Sequence, residues 1–107
     1  MRLRELEAEF LKIKDSRTYS RQDSIDGADG IMFLCPLCFA ENKGPVGTHR
    51  VICWFSHVDA AMDPKPGRWN PSGSGLDDLT FVGPGAASVK LIGGCNWHGF
   101  VKDGEAA

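Results

Sequence analysis

Apolar side chains recur at helical spacing near the start of the chain. Leu3, Leu6, Phe10 and Ile13 form a stripe, with Glu5, Glu7, Glu9 and Lys12 elsewhere on the wheel. The pattern predicts an amphipathic helix over residues 1–14, supported by the i,i+3 pairs Arg4–Glu7 and Glu9–Lys12. A helix this short is marginal alone, so its stripe needs a surface, either on its own domain or on a partner. Residues 15–29 are polar and rich in Asp, Ser and Arg, which predicts a flexible linker. Asp26-Gly27-Ala28-Asp29-Gly30 lacks the spaced oxygen ligands of a calcium loop and reads as a turn.

From residue 30 the pattern changes to short strands divided by Gly/Pro turns. Ile31–Leu34 is a buried strand running into Cys35. Thr48–His57 alternates with apolar residues on both faces: Val51, Cys53, Phe55 and His57 on one, Arg50, Ile52, Trp54 and Ser56 on the other. That predicts a central strand. Residues 59–78 read as loop, with a brief strand at Arg68-Trp69. Leu79–Val82, Ser88–Ile92 and Gly99–Lys102 follow as strands, closed by Gly83-Pro84-Gly85, Gly93-Gly94 and Asp103-Gly104. The expected architecture is a small antiparallel β domain over residues 30–105 plus one N-terminal helix, α+β overall.

The length of 107 residues fits one domain, and 13 glycines and six prolines leave it a modest core. A metal staple would offset that deficit. The net charge of −2 argues against a protein dominated by phosphate contacts. Residues 1–22 carry six basic and four acidic side chains, a small basic patch on an otherwise acidic chain. No apolar run is long enough to span a membrane. The charged start, Met-Arg-Leu-Arg-Glu-Leu-Glu, is unlike a secretory signal, so a cytoplasmic setting is expected. There, paired cysteines favour metal or redox chemistry over structural disulfides.

Two boxes carry that chemistry. Cys35-Pro-Leu-Cys38 and Cys95-Asn-Trp-His98 each present two metal-ligating side chains with two residues between them. Two such turns complete a tetrahedron, so Cys35, Cys38, Cys95 and His98 are the predicted Cys3His ligands, with zinc as the expected ion. Cys53 lies mid-strand, where a free thiol behaves as a small hydrophobe. His49 and His57 are the alternative imidazoles, and His57 could replace His98. A thioredoxin-like redox role for Cys35 and Cys38 lacks the βαβ alternation it needs. Gly83-Pro84-Gly85-Ala86-Ala87-Ser88 lacks the Lys-Ser/Thr of a phosphate loop.

Cys95-Asn-Trp-His98-Gly99-Phe100 resembles the second ligand box of Rieske ferredoxins, which implies a [2Fe–2S] cluster as the alternative cofactor. The first box has Cys-x-x-Cys where that family has Cys-x-His. A wider set of strings occurs in order: Gly30-Ile31-Met32-Phe33-Leu34-Cys35-Pro36-x-Cys38, Trp69-Asn70-Pro71-Ser72-Gly73, Leu76-Asp77-Asp78-Leu79-Thr80, and Gly94-Cys95-x-Trp97-His98-Gly99-Phe100-Val101 with Gly104. Together they resemble a family of small phage and prophage proteins of undefined function, some of which carry the label ammonia monooxygenase. The resemblance implies a zinc-binding fold and a phage origin in a bacterial host. It supplies no substrate, and the chain lacks the membrane span and copper-rich histidine set a monooxygenase of that kind needs.

Three function classes follow. A zinc-knuckle interaction module would use Trp54, Arg68, Trp69 and Trp97 as contact groups, with a protein partner fitting the acidic balance better than nucleic acid and no membrane contact. An enzyme would draw acid–base groups from Asp77, Asp78, His57 and Asp59, or a hydrolytic water from a zinc ion held by only three ligands. An electron-transfer protein would hold the cluster.

Overall fold

A computed structural model describes residues 1–65, 67–83, 87–91 and 94–107. It corrects the helix expected over residues 1–14. Residues 2–7 make one turn, in which the Leu6 N–H reaches the carbonyls of Arg2 and Leu3 at 3.3 and 3.0 Å. Glu7 then takes a φ of 55°, which a helix does not continue through. Leu3 and Leu6 are both fully buried, so this single turn satisfies the i,i+3 spacing. The chain continues as β1 (Glu9–Ile13), which sends Phe10 and Leu11 into opposite faces of a sheet. As a strand this segment gains backbone partners on both edges, an advantage an isolated short helix lacks.

The linker expected over 15–29 is also replaced by structure. β2 (Tyr19–Gln22) forms a hairpin with β1, from Phe10↔Gln22 to Ile13↔Tyr19. The Asp15 carboxylate holds the connecting loop by accepting from the N–H groups of Arg17 (2.8 Å) and Thr18 (2.9 Å). A radius of gyration of 12.9 Å is close to the ~13 Å of a single compact domain of about 100 residues. Residues 1–29 thus belong to the domain.

β3 (Gly30–Leu34) and β4 (Arg50–Trp54) complete an antiparallel sheet of order β2-β1-β3-β4. The predicted two-faced alternation is present. Phe10, Ile31 and Cys53 align across one face, and Leu11, Gly30 and Trp54 across the other. The first face joins the larger core with Phe33, Val51, Phe55, Leu79 and Trp97; the second packs with Met32, Val58 and Met62. β1 and β3 are the central strands. β4, expected to be central, is an outer strand whose free edge is continued by Trp69, through Trp69 N–H to Trp54 O (3.1 Å) and Ser56 N–H to Trp69 O (2.9 Å). Gly30 is required here, because a Cβ would lie 2.5 Å from the Trp54 ring and 2.7 Å from Cys53 O.

Between β3 and β4 lies α1 (Pro36–Asn42), the one helix among the described residues. Proline in its first turn sets φ, and Lys43 at φ 56° ends it. Three antiparallel ribbons follow. They pair β5 (Asn70–Ser72) with β6 (Thr80–Val82), β7 (Val89–Lys90) with β8 (His98–Gly99), and β9 (Val101–Lys102) with β10 (Glu105–Ala106). Asp103 and Gly104, with φ of 50° and 77°, form the last two-residue hairpin turn. Residues 1–3 bond to this hairpin, through Leu3 N–H to Gly104 O (2.9 Å) and Ala106 N–H to Met1 O (2.8 Å). Parts of three predicted segments, Pro66, Pro84–Ala86 and Ile92-Gly93, lie outside the described residues.

Leu6→Ala tests whether the first turn is part of this core. It is expected to lower the free energy of urea unfolding by about 2–4 kcal/mol. A loss under about 0.5 kcal/mol, typical of surface positions, would separate residues 1–7 from the domain.

Candidate metal centre

Cys35 follows β3 directly and precedes α1, so the end of a central strand fixes its position. Cys38 lies three residues on, one helical turn away, where the Phe39 N–H bonds to Cys35 O at 2.9 Å. The N–H groups of Leu37 and Cys38 also point at the Cys35 sulfur. Such donors favour a thiolate.

The β3–β4 register supplies the imidazole. Leu34 pairs with Arg50, and one step further the Cys35 N–H bonds to His49 O at 2.9 Å. His49 therefore sits opposite Cys35, two residues before Val51 and on the same face. Cys95 comes from the connection between β7 and β8. Two left-handed residues, Gly94 (φ 58°) and Asn96 (φ 55°), flank it and fold the backbone tightly there. Trp97 anchors this turn in the core, edge-on to Phe33 at 6.0 Å.

Cys35, Cys38, His49 and Cys95 thus form a Cys3His group that can hold a metal ion, with all ligand atoms within 4.8 Å of one another. Cys35 Sγ lies 3.6 Å from Cys95 Sγ, and His49 Nε2 lies 3.3 Å from the same sulfur. Bond lengths of zinc place ligand atoms at tetrahedral edges of about 3.5–3.8 Å, so the donor set fits that ion. The four cysteines are free thiols.

The fourth position corrects the sequence reading: His49 joins the group, and His98 does not. Strand alternation explains the difference. Trp97 points into the core, so its neighbour His98 faces out, opposite Lys90 in the β7–β8 ribbon and beside the Phe100 ring at 6.4 Å. His57, the other alternative, bonds to Asp29 at 2.7 Å. Cys53 is fully buried in the sheet, and burial pushes its thiol pKa up. The signal that points to His49 is not a spacing motif but the pairing register of two strands.

Crowding three thiols shapes their protonation. The Cys95 thiol is lowered to about 7, chiefly by its hydrogen bond to His49. Cys38 is pushed up to about 12, first by desolvation and then by the neighbouring sulfurs, and Cys35 is raised mainly by burial. Without a cation, the group can charge one sulfur readily while its neighbours hold their protons. A divalent ion reverses that balance and stabilises all three thiolates.

Of the predicted contact residues, Trp54 and Trp97 are buried, and Arg68 and Trp69 are half-buried and bonded to the backbone. Trp54 is buried against Tyr19 and donates its indole N–H to Asp63 O at 2.7 Å. Trp69 stacks on Phe81 and donates to Ser88 O at 3.1 Å. Arg68 spends its guanidinium on backbone carbonyls, among them Asp59, Met62 and Gly67, each at 2.7 Å. The proposed acid–base groups are likewise engaged. Asp77 binds Arg4 with both oxygens (2.6 and 3.1 Å), Asp78 caps the turn at Ser74 and Gly75, and Asp59 accepts from Ala61 N–H.

Searches against protein-family models, curated proteins and solved structures found no match. No helix among the described residues is long and apolar enough to cross a membrane.

His49→Ala should weaken metal binding by at least about 10–100-fold, since even outer-shell changes cost that much. His98→Ala should leave it unchanged, as read by competition with a chromophoric chelator. The opposite ranking would restore the CxxH box. Metal uptake must displace thiol protons, so affinity should rise with pH. It should fall steeply below pH 7, where protons occupy Cys95 as well as Cys35 and Cys38.

Proposed function

We propose that the protein is a small zinc-stabilised module that presents a surface to a protein partner. The observation that carries this reading is the donor set: four protein side chains bring their ligand atoms within 4.8 Å of one another, and an ion bound by all four would have no open coordination site for a water or substrate. Cys35, Cys38, His49 and Cys95 come from segments up to 60 residues apart. An ion held by them would tie α1, the start of β4 and the β7–β8 ribbon together. A structural role also fits the engagement of Asp77, Asp78 and Asp59 in turns and ion pairs, which removes them as free acid–base groups.

The donor geometry favours zinc over a two-iron cluster. A [2Fe–2S] centre divides its protein ligands between two irons and needs a wider cage than one whose donor atoms all lie within 4.8 Å. A thioredoxin-like reaction gains a helix starting at Pro36 after Cys35, but the sheet is antiparallel and a third thiol and an imidazole converge on the pair.

Exposed apolar side chains near the ligands support the interaction role. Leu37 lies between Cys35 and Cys38, Val46 three residues before His49, and Phe100 just beyond β8. Val46 and Phe100 are 87% and 53% exposed. With a net charge of −2, a protein partner suits this surface better than nucleic acid. The proposal extends to a phage or prophage origin and a bacterial cytoplasmic setting, and its support is the resemblance of the ordered motifs over residues 30–105.

Metal analysis and an absorption spectrum of protein purified without added metal test the reading. One zinc per chain with no visible band is expected, and a strong chelator should unfold the domain cooperatively. A visible charge-transfer band with bound iron would replace zinc by a cluster. Protein that stays folded and metal-free would remove the centre altogether.

A further inference from the structure

A second site lies on the opposite face of the sheet from Cys35. A cavity of about 380 Å³ opens between the β1–β2 loop and residues 57–62, with Ile13, Val58, Ala61 and Met62 as mostly apolar walls. Its floor continues the smaller apolar cluster formed by Leu11, Met32 and Trp54. Asp29 and His57 also line it.

Asp29 is the one buried charged residue among those described, with a relative exposure of 8%. One of its oxygens accepts from the Ile13 N–H at 2.7 Å, and the other meets His57 Nε2 at 2.7 Å. Lys12 Nζ stands 3.6 Å from the first oxygen. Burial alone would raise this carboxyl, but the bonds from His57 and Ile13 and the Lys12 charge bring it below its ordinary value. An ionised Asp29 only accepts, so Nε2 of His57 carries the hydrogen. In the neutral ring the lone pair is then on Nδ1. That imidazole is fixed at one nitrogen, while its side chain is 60% exposed.

The facing wall is also held in place. Arg68 donates to the carbonyls of Val58 (3.4 Å), Asp59 (2.7 Å) and Met62 (2.7 Å), which sets the path of residues 58–62 from behind. Two separate networks therefore preform the cavity, one through Asp29 and one through Arg68. An apolar hollow with one oriented polar group is the usual form of a small-molecule site. The charged side chains on its lining are Asp15, Asp29 and Asp59, with no lysine or arginine among the described lining residues. Two cations stand beside the cavity and both are occupied: Lys12 by Gly27 O at 3.0 Å and by Asp29, and Arg68 by the carbonyls of residues 58–62.

We propose that this cavity binds a small organic amine, its apolar body against Val58 and Met62 and its N–H donated to His57 Nδ1. Asp29 is a positioning residue that fixes the imidazole. The site does not depend on the metal centre, which lies across the sheet.

The test uses the protein as purified, with its metal, and follows amide resonances during titration with benzylamine, benzyl alcohol and benzoate. Benzylamine should shift the signals of residues 57–62 saturably and bind more tightly than benzyl alcohol, and benzoate should bind least. His57→Ala should weaken benzylamine binding roughly tenfold, the scale of one hydrogen bond to a charged group. Because His57 is exposed, this variant should leave the signals around Cys95 in place. Val58→Asp, which puts charge on the apolar wall, should abolish binding of the neutral alcohol. Three results would each overturn the proposal: no saturable shift with any probe, tightest binding by benzoate, or unchanged benzylamine affinity in a folded His57→Ala protein.

Discussion

The antiparallel pairing of β3 with β4 is the constraint on which the rest of this structure depends. Its register places Ile31 against Cys53 and Phe33 against Val51, and so builds the larger core. Two steps beyond Phe33 the same register brings Cys35 opposite His49 through a 2.9 Å backbone hydrogen bond. A shift of one residue would turn every side chain of β4 to the other face. It would remove His49 from Cys35 and Trp54 from Gly30 together. Core and metal centre are thus two ends of one ladder.

The sheet also separates two chemistries. On one face, thiols and an imidazole converge where β3 gives way to α1, and Trp97 wedges the Cys95 turn against Phe33. On the other, Asp29 leaves the same strand at its opposite end and ties β1 to the exit of β4 through Ile13 and His57. Both sites sit at strand ends, where alternation stops and a side chain can leave the packed layer. Both also place polar groups in partly buried positions, which are tolerated because each is bonded. A small domain with ten short strands among its described residues has little core to spare, and an ion at the Cys3His group would add cross-links where the ribbons are shortest.

Parts of the fold were legible because local chemistry and tertiary context agree there. The alternation over 48–57 predicts a strand with two apolar faces, and β4 has them. Asp103-Gly104 predicts a tight reversal, and both residues take positive φ. Residues 1–14 show the reverse case. Leu3 and Leu6 obey a helical period for a single turn, and Phe10 and Leu11 are then claimed by a sheet that needs an inner strand. The polar stretch after Ile13 concealed β2, an edge strand whose faces are half exposed and whose stability comes from pairing with β1.

The sequence by itself determined the chemistry available: three closely usable thiols in two short boxes, Cys53 set apart by its place mid-strand, and a β-rich chain punctuated by glycine and proline. Those properties are local, fixed by residue type and by spacing of a few positions. Only the tertiary structure decided which imidazole joins the thiols. His98 has the right spacing from Cys95, but Trp97 takes the inward position and turns His98 to solvent. His49 has no motif around it and is delivered by strand register, a long-range relation between residues 35 and 49 that no local pattern encodes.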